Sequence, residues 1–487
     1  MKLATLALYS ILGVSAAASA GYMLAPDPAQ DKLAVARDAT TTPLSPSTSA
    51  AGALDAPSTF TAGTTLHVEG RLGNAVLPQG AFSKTFLLLD VRPGQTTATA
   101  KPVEGHLAIV IDRSGSMKGD RLPKALSAAK AAVDKLSFGD RVSVISFDTT
   151  IRTDVPMVEV TVSNRQQIKD AIDTIQLGGD TCISCGISAA LAELGQSTGF
   201  ADRMILLSDG EPTAGVRDEG GFFPVAKTAR DASVGITTIG VGTAYNHKIM
   251  GAIALGSGGN HYFVEDPSSL EKAFLVEADK LKTTVALGAT ATITLAEGVE
   301  LERVYDRSFE REGKNRIKVQ LGNFSVGDTR TVLVELKVPT NAEGVVPVAD
   351  VSLAYDDRVL GGAGRCEGKL SALVKGDVDA ASETDPQVAT RMARSKTAAT
   401  LLEVNELIEQ GRTEEAEAKI QAQQQELSAA AEKAKRSAGP GKSAVVGDLA
   451  GQATTLSNAR EGLDAKKGGA KPRAVRKNVE MMNPYML

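Results

Sequence analysis

Between residues 106 and 282 the sequence alternates short apolar runs with segments of helical periodicity. The run Leu107 to Ile111 is continuously apolar, which is typical of a strand covered on both faces of a sheet. The next segment, Arg121 to Leu136, carries apolar residues on one helical face, and the same order of patterns repeats up to residue 282. Strict alternation of this kind predicts an α/β domain over residues 105–282 with a doubly wound, mostly parallel sheet.

On both sides of this segment the sequence is typical of antiparallel β structure. Residues 61–104 contain short strand-like runs broken by glycine and proline, and residues 283–376 come near to apolar alternation. Because a pair of strands is marginal alone, we expect both segments to form one β-sandwich into which the α/β domain is inserted. Residues 385–463 predict a helical region that opens with an αα-hairpin, and residues 464–487 predict a basic, flexible tail.

The first 20 residues predict an export signal. Lys2 supplies a positive end, the stretch Leu3 to Val14 is apolar, and small residues up to Ala20 resemble a cleavage site. An uncleaved anchor is the alternative, although the apolar run is short for a membrane span. Residues 21–60 predict a disordered linker. We therefore expect an exported protein of the periplasm or the cell envelope or surface, with membrane association only through a retained anchor or a partner.

Oxygen-bearing side chains follow two of the predicted strands. Asp112, Ser114 and Ser116 come directly after the first apolar run, and Asp209 follows another. Because the carboxyl ends of parallel strands meet at one edge of a sheet, we expect these residues to lie close together. Thr181 lies between them in a Gly-rich loop before a predicted helix. Carboxylate and hydroxyl oxygens suit a hard cation such as Mg²⁺ or Ca²⁺ and disfavour zinc or copper.

These five residues resemble the metal-ion-dependent adhesion site of the von Willebrand factor A domain. The family pattern is Asp-x-Ser-x-Ser, then a Thr in a Gly-rich loop, then an Asp before Gly, matched here by Asp112, Ser114, Ser116, Thr181 and Asp209. The resemblance implies that Ser114 and Ser116 bind the ion directly, Thr181 directly or through water, and both aspartates mostly through water. It favours Mg²⁺ as the ion, with Ca²⁺ or Mn²⁺ as alternatives.

The same resemblance implies a binding protein rather than an enzyme. An open coordination position would accept the Asp or Glu carboxylate of a protein partner, so we expect metal-dependent adhesion or scaffolding. The formal net charge of −5 gives no overall attraction to nucleic acid, and nucleic-acid binding is disfavoured. A sandwich interrupted by such a domain is similar to bacterial proteins named after calcium-activated chloride channel subunits and to the heavy chains of inter-alpha-trypsin inhibitor.

The loop around Thr181 departs from the family pattern. Family members often have Gly-Gly-Thr-Asn, whereas Asp180 precedes the threonine here and Cys182 follows it. Cys182 and Cys185 have the spacing of a disulfide or of a redox pair at a helix start. A bridge would stiffen the loop, so that its reduction would loosen metal binding. Asp148, at the end of the intervening strand, is expected beside the ligands and not among them.

Two other classes of function remain as alternatives. An envelope hydrolase with Ser114 or Ser116 as nucleophile would need a base, and the sequence has four histidines. Two of these, His106 and His261, open predicted strands and are expected to be structural, and no Gly-x-Ser-x-Gly turn surrounds either serine. A redox module at the two neighbouring cysteines is disfavoured because the host pattern is not that of thioredoxin.

Overall fold

The apolar runs of the central segment form the inner strands of a six-stranded sheet in the computed structural model of the chain. The structure describes residues 57–94, 104–195, 200–242, 245–305, 307–376, 384–436 and 442–467. Numbered along the whole chain, the strands lie across this sheet in the order β10 (His261–Val264), β9 (Gly235–Val241), β8 (Ala201–Ser208), β5 (Gly105–Asp112), β6 (Arg141–Phe147) and β7 (Ile151–Glu159). Neighbouring strands are parallel except for β6 and β7.

Helices cover both faces of this sheet, which explains why all eight residues of β5 are buried. The helices are α1 (Arg121–Lys135), α2 (Arg165–Asp173), α3 (Ile183–Leu194), α4 (Glu219–Asp231), α5 (His247–Ser257) and α6 (Leu270–Lys282). Residues of α1, α2 and α6 pack with Leu107, Ile109 and Ile111, whereas residues of α3, α4 and α5 pack with Ala108 and Val110. The alternation of β5 side chains between two cores is that of a doubly wound α/β sheet.

Strand β7 was not predicted from the sequence. It pairs antiparallel with β6 at the edge of the sheet and contains Pro156. Proline cannot donate a ladder hydrogen bond, so it is tolerated on an edge strand but weakens the strand pattern in the sequence.

The flanking β segments form two further sheets that share one core. The five-stranded sheet has the order β1 (Thr59–Ala62), β2 (Leu66–Leu72), β4 (Phe82–Pro93), β15 (Arg330–Pro339) and β12 (Glu300–Tyr305). The six-stranded sheet has the order β13 (Glu310–Glu312), β14 (Arg316–Ser325), β11 (Thr284–Leu295), β16 (Gly344–Asp357), β17 (Ala363–Lys375) and β3 (Val76–Pro78). Because β4 pairs with β15 along ten residue pairs, the α/β segment is inserted in the chain between strands of one sandwich.

The N-terminal predictions lie largely outside the described residues. The predicted signal at residues 1–20 and the linker up to residue 56 fall there. The linker was predicted to extend to residue 60, but β1 begins at Thr59, where its backbone pairs with Arg71 of β2. Among the helices that the structure describes, none is long and apolar enough to span a membrane.

The described part of the C-terminal region contains three helices, the predicted αα-hairpin and one further helix within the predicted helical region. They are α7 (Pro386–Glu409), α8 (Thr413–Arg436) and α9 (Lys442–Lys467), and α9 extends past the predicted end at residue 463 into the predicted basic tail. Many small residues weaken the helical pattern of α9, yet Leu449, Leu456 and Leu463 recur every seven residues and are buried in the bundle core. Val388 of α7 packs on Leu88 and Leu333 of the sandwich.

Candidate metal centre

Asp112 ends the central strand β5 and its side chain is fully buried. One carboxylate oxygen accepts a hydrogen bond from the Ser114 backbone N–H at 2.8 Å, and the other accepts one from the Ser208 hydroxyl at 2.5 Å. Burial raises the pKa of Asp112 to about 6, although the hydrogen bonds from Ser114 and Ser208 act against this shift. The carboxylate is therefore held in a fixed orientation at the edge of the sheet.

Ser114, Ser116 and Asp209 form a short hydrogen-bonded chain beside it. The two serine hydroxyl oxygens lie 3.0 Å apart, and the Ser116 hydroxyl donates to Asp209 Oδ1 at 2.6 Å. Asp209 follows the last residue of β8 and is fully buried. The parallel pairing of β5 with β8 brings this carboxylate to the same edge as Asp112.

The hydroxyl of Thr181 lies across Gly210 from the hydroxyl of Ser116. A Cβ atom built on Gly210 would lie 3.2 Å from Ser116 Oγ and 3.6 Å from Thr181 Oγ1, so the absence of a side chain at Gly210 leaves space between the two hydroxyl groups. The Thr181 backbone N–H donates to Thr213 Oγ1 at 2.8 Å, which fixes the loop. All five residues predicted from the sequence are thus brought to one edge of the sheet.

Asp148 holds the Gly-rich loop against the Asp112 turn, beside the five predicted ligands. Its Oδ1 accepts from Arg113 Nη2 at 3.0 Å, and its Oδ2 accepts from the Gly179 backbone N–H at 2.9 Å. Burial raises the pKa of Asp148, but the hydrogen bonds from Thr150 and Gly179 and the charge of Arg113 together outweigh burial, and the net shift is downward. A Cβ atom on Gly178 would lie 1.7 Å from Asp148 Oδ2, so only glycine fits at that position.

A disulfide joins Cys182 and Cys185 at the start of α3, directly after Thr181. The Thr181 carbonyl accepts from the backbone N–H groups of Thr213 and Ala214 at 2.9 and 3.1 Å. The bridged turn is therefore attached to the loop that follows Asp209. The bridge is compatible with both sequence-based alternatives, because a redox-active pair is also bridged in its oxidised form.

Arg121 belongs to the site but was missed by the sequence analysis. It is the first residue of α1, and its guanidinium donates to Asp209 Oδ2 and, at 3.1 Å, to the Ser116 carbonyl. An arginine in the first turn of a helix carries no signal that distinguishes it from an ordinary surface residue.

The donor set consists of two carboxylates and three hydroxyl groups, all with oxygen donors. Such a set suits a hard cation and is unlike a zinc site. Within the described ranges, no group of three or more His, Cys, Asp or Glu side chains lies together so that it could hold an ion. Any ion at this edge would therefore depend on hydroxyl groups and water for part of its coordination.

Two of the histidines are engaged elsewhere. His106 Nδ1 lies 3.0 Å from Asp202 Oδ1 near the start of β5, six residues from Asp112 and about 20 Å away along an extended strand. His261 contacts Thr238 Oγ1 at 2.7 Å and the Tyr245 hydroxyl at 3.1 Å. These contacts support the structural assignment of both histidines.

The fold and the residues at this edge define a known class of domain. Residues 106–275 match the family model of the von Willebrand factor type A domain. Two solved structures share the fold over most of the chain. One is a von Willebrand factor type A protein from Catenulispora acidiphila, with a TM-score of 0.65, 17% identity and coverage of 83% of this chain and 91% of that one. The other, the ArnB paralog VWA2 from Sulfolobus acidocaldarius, has a TM-score of 0.58, 22% identity and coverage of 87% and 100%.

Curated bacterial proteins are related in sequence to part of the chain. They include an uncharacterized protein of Synechocystis, 27% identical over 58% of this chain and 69% of its own length, and Escherichia coli YfbK, 29% identical over 52% of this chain and 45% of its own. A UPF0353 protein of Mycolicibacterium gilvum is 30% identical over 45% of this chain and 63% of its own length. The chain thus spans between about half and two thirds of these relatives. The predicted family resemblance and fold class are confirmed.

Proposed function

We propose that the chain binds a protein partner through a divalent cation held at the edge of its α/β sheet. The observation that carries this proposal is the convergence of two fully buried carboxylates, Asp112 and Asp209, with the hydroxyl groups of Ser114, Ser116 and Thr181. Buried carboxylates are costly without a positive partner, and hydroxyl groups alone supply none. Because Arg121 already contacts Asp209, a divalent cation would balance the charge of Asp112 and share that of Asp209 with the guanidinium.

The five residues would coordinate the ion in two ways, directly or through water. Ser114, Ser116 and Thr181 would offer hydroxyl oxygens, while the two aspartates, already engaged by Ser208 and Ser116, would act mainly through water. Mg²⁺ is the favoured ion because it keeps water ligands readily, and Ca²⁺ or Mn²⁺ would suit the same oxygens. The bound ion would supply a Lewis-acidic position for a carboxylate oxygen of the partner.

The partner would present an exposed Asp or Glu side chain at the end of a protruding segment. With few anionic ligands bound directly, the ion would remain electrophilic and attract that carboxylate. We further propose that this contact serves adhesion or scaffolding, without catalysis, and that the protein is exported to the periplasm or the cell envelope. The sequence-based export signal supports this location.

The test is partner capture that depends on both the ion and the site. The full chain, immobilised, is exposed to envelope extract in Mg²⁺ and in EDTA, alongside Asp209→Asn and the exposed control Asp350→Asn. The proposal predicts proteins retained by wild type and the control in Mg²⁺, released by EDTA and absent from Asp209→Asn. Retention that persists in EDTA and in Asp209→Asn would refute it. A serine hydrolase would instead survive EDTA and react with an active-site phosphonate.

A further inference from the structure

Arg121 occupies a junction between three loops of the candidate centre. Its guanidinium contacts Asp209 Oδ2 and the Ser116 carbonyl, which belong to the loops after β8 and β5. A Cβ atom on Gly242 would lie 3.2 Å from Arg121 Nη2, so the guanidinium also lies against the residue that follows β9. Its side chain is 31% exposed, whereas Asp209 beside it is fully buried.

The position of Arg121 determines the charge balance of the centre. Asp112 and Asp209 each bring one negative charge when ionised, and Arg121 brings one positive charge that is in direct contact with Asp209. The other arginine of the same loop, Arg113, is paired with Asp148. A divalent ion among the five ligands would therefore meet a net charge of about −1 from Asp112, Asp209 and Arg121 together, instead of −2 from the two aspartates alone, and would be repelled by the guanidinium that contacts Asp209.

We propose that Arg121 is a fixed counter-cation that weakens divalent ion binding and leaves the loaded centre with a net positive charge. The proposal rests on the metal-dependent function proposed above. The guanidinium competes with the ion for Asp209, so the ion is bound less tightly than the five oxygen ligands alone would allow. The positive charge that remains after ion binding favours an acidic partner at the open coordination position.

A purely structural arginine would behave in the opposite way. If Arg121 only joined the loops together, its removal would loosen Ser116 and Asp209 and so weaken ion binding. If Arg121 acts as a counter-cation, its removal strengthens ion binding, because the repulsion disappears while the oxygen ligands stay. The sign of the change therefore separates the two roles.

The experiment is a titration of the full chain with Mn²⁺ alone, followed by electron paramagnetic resonance of the free ion at low ionic strength. Arg121→Gln removes the charge and retains much of the side-chain length, Arg121→Lys retains the charge, and Lys118→Gln removes an exposed charge from the same loop. We expect Arg121→Gln to bind Mn²⁺ about tenfold more tightly than wild type. Arg121→Lys and Lys118→Gln should remain within about twofold of wild type.

Two results would overturn the proposal. Unchanged or weaker Mn²⁺ binding by a folded Arg121→Gln, with wild-type binding intact, would assign Arg121 a structural role. Arg121→Met is a second uncharged variant, and failure of both Arg121→Gln and Arg121→Met to fold would likewise assign Arg121 a structural role. In contrast, wild-type protein that does not bind Mn²⁺ at all would refute the proposed function itself, so the two failures are distinguishable.

Discussion

At the residue scale, Ser116 connects the two sides of the candidate centre. Its hydroxyl contacts Ser114 Oγ and donates to Asp209 Oδ1, while its carbonyl accepts from Arg121. The sequence pattern alone suggested a ligand at this position. The structure adds that the same residue orients a buried carboxylate contributed by another strand.

Replacement of this hydroxyl should therefore affect ion binding far more than stability. We expect Ser116→Ala to weaken Mg²⁺ binding by at least about tenfold, while the loss of its two hydrogen bonds, to Ser114 and Asp209, lowers the free energy of unfolding by about 1–2 kcal/mol. Isothermal titration calorimetry and urea unfolding measure the two effects. Ser163→Ala, which removes an exposed hydroxyl near the start of α2, is the matched control and should change neither.

His261 makes the stability of the domain depend on pH. Burial, with a smaller contribution from His247, lowers the pKa of His261 to about 3, from 6.5 in the unfolded chain. Below pH 6.5 the unfolded chain takes up a proton that the folded protein does not, so this contribution to stability is lost as the pH falls. Between pH 7.5 and pH 5 the loss should be about 2 kcal/mol.

The prediction is tested by urea unfolding of wild type and His261→Gln at both pH values. Acidification should destabilise wild type by about 2 kcal/mol more than the variant, because glutamine does not titrate. An equal loss of unfolding free energy in wild type and His261→Gln would show that His261 is not kept neutral by burial.

The five predicted site residues could be found from the sequence because each follows a strand or lies in a glycine-rich loop. Arg121 could not, because its contact with Asp209 joins residues 88 positions apart and depends on how α1 packs against the sheet. Residue type indicates which chemistry is available, whereas the partner of a long, flexible cation is decided only by tertiary packing.

At the scale of elements, the turn between Thr181 and α3 combines a ligand position with a covalent bridge. The Cys182–Cys185 disulfide closes the turn, and hydrogen bonds attach it to residues 213 and 214. The sequence left the state of this pair open, because the same spacing occurs in structural and redox-active cysteines. The notion that the bridge stiffens the loop remains a prediction.

Reduction of this bridge by a dithiol should weaken Mg²⁺ binding by up to about tenfold, because ordering one freed residue costs about 1–2 kcal/mol. Calorimetric titration with and without dithiothreitol measures the change. The Cys185→Ser variant should bind as weakly as the reduced protein and be insensitive to reductant. Cys366 is buried and forms no disulfide, so Cys366→Ser is the control and should respond like wild type. Identical Mg²⁺ affinity in oxidised and reduced wild type would dispose of the idea.

Strand β7 was not predicted and helix α9 extends past its predicted end, for different physical reasons. Strand β7 lies at a sheet edge and includes a proline, so it lacks both the apolar run and the ladder pattern of the central strands. Helix α9 has little amphipathic contrast because small residues dominate it, and its buried leucines are seven residues apart. Central strands such as β5 were predicted well because burial on both faces demands a continuous apolar run.

At the scale of the whole molecule, buried arginines connect the α/β domain to the sandwich. Arg330 of β15 donates to the Gly258 carbonyl at 2.6 Å and to the Asn323 carbonyl at 3.0 Å. Arg203 of β8 contacts Glu277 at 3.1 Å and the Ser325 hydroxyl at 2.8 Å. The sequence predicted an inserted domain, but the polar contacts that join it to its host depend on residues brought together from distant strands.

Removal of the Arg330 guanidinium should weaken this junction. We expect Arg330→Met to lower the free energy of unfolding by about 3 kcal/mol, because buried carbonyl groups lose their donor and Asp328 loses a neighbouring cation. Arg316→Met, at an exposed position, is the control and should change stability by less than about 1 kcal/mol. Urea unfolding that gives the same midpoint for both variants would contradict the proposed contribution of Arg330.

The proposed binding mechanism depends on a divalent ion at the edge of the α/β sheet. The most direct measurement is calorimetric titration of Mg²⁺ into the wild-type chain and Asp112→Ala, with circular dichroism to establish that both are folded. We predict one Mg²⁺ site in wild type and none in the variant, since Asp112 is the fully buried carboxylate on which the turn is built. A folded Asp112→Ala that binds Mg²⁺ like wild type, or a wild-type chain that binds no Mg²⁺, would contradict the proposed metal centre.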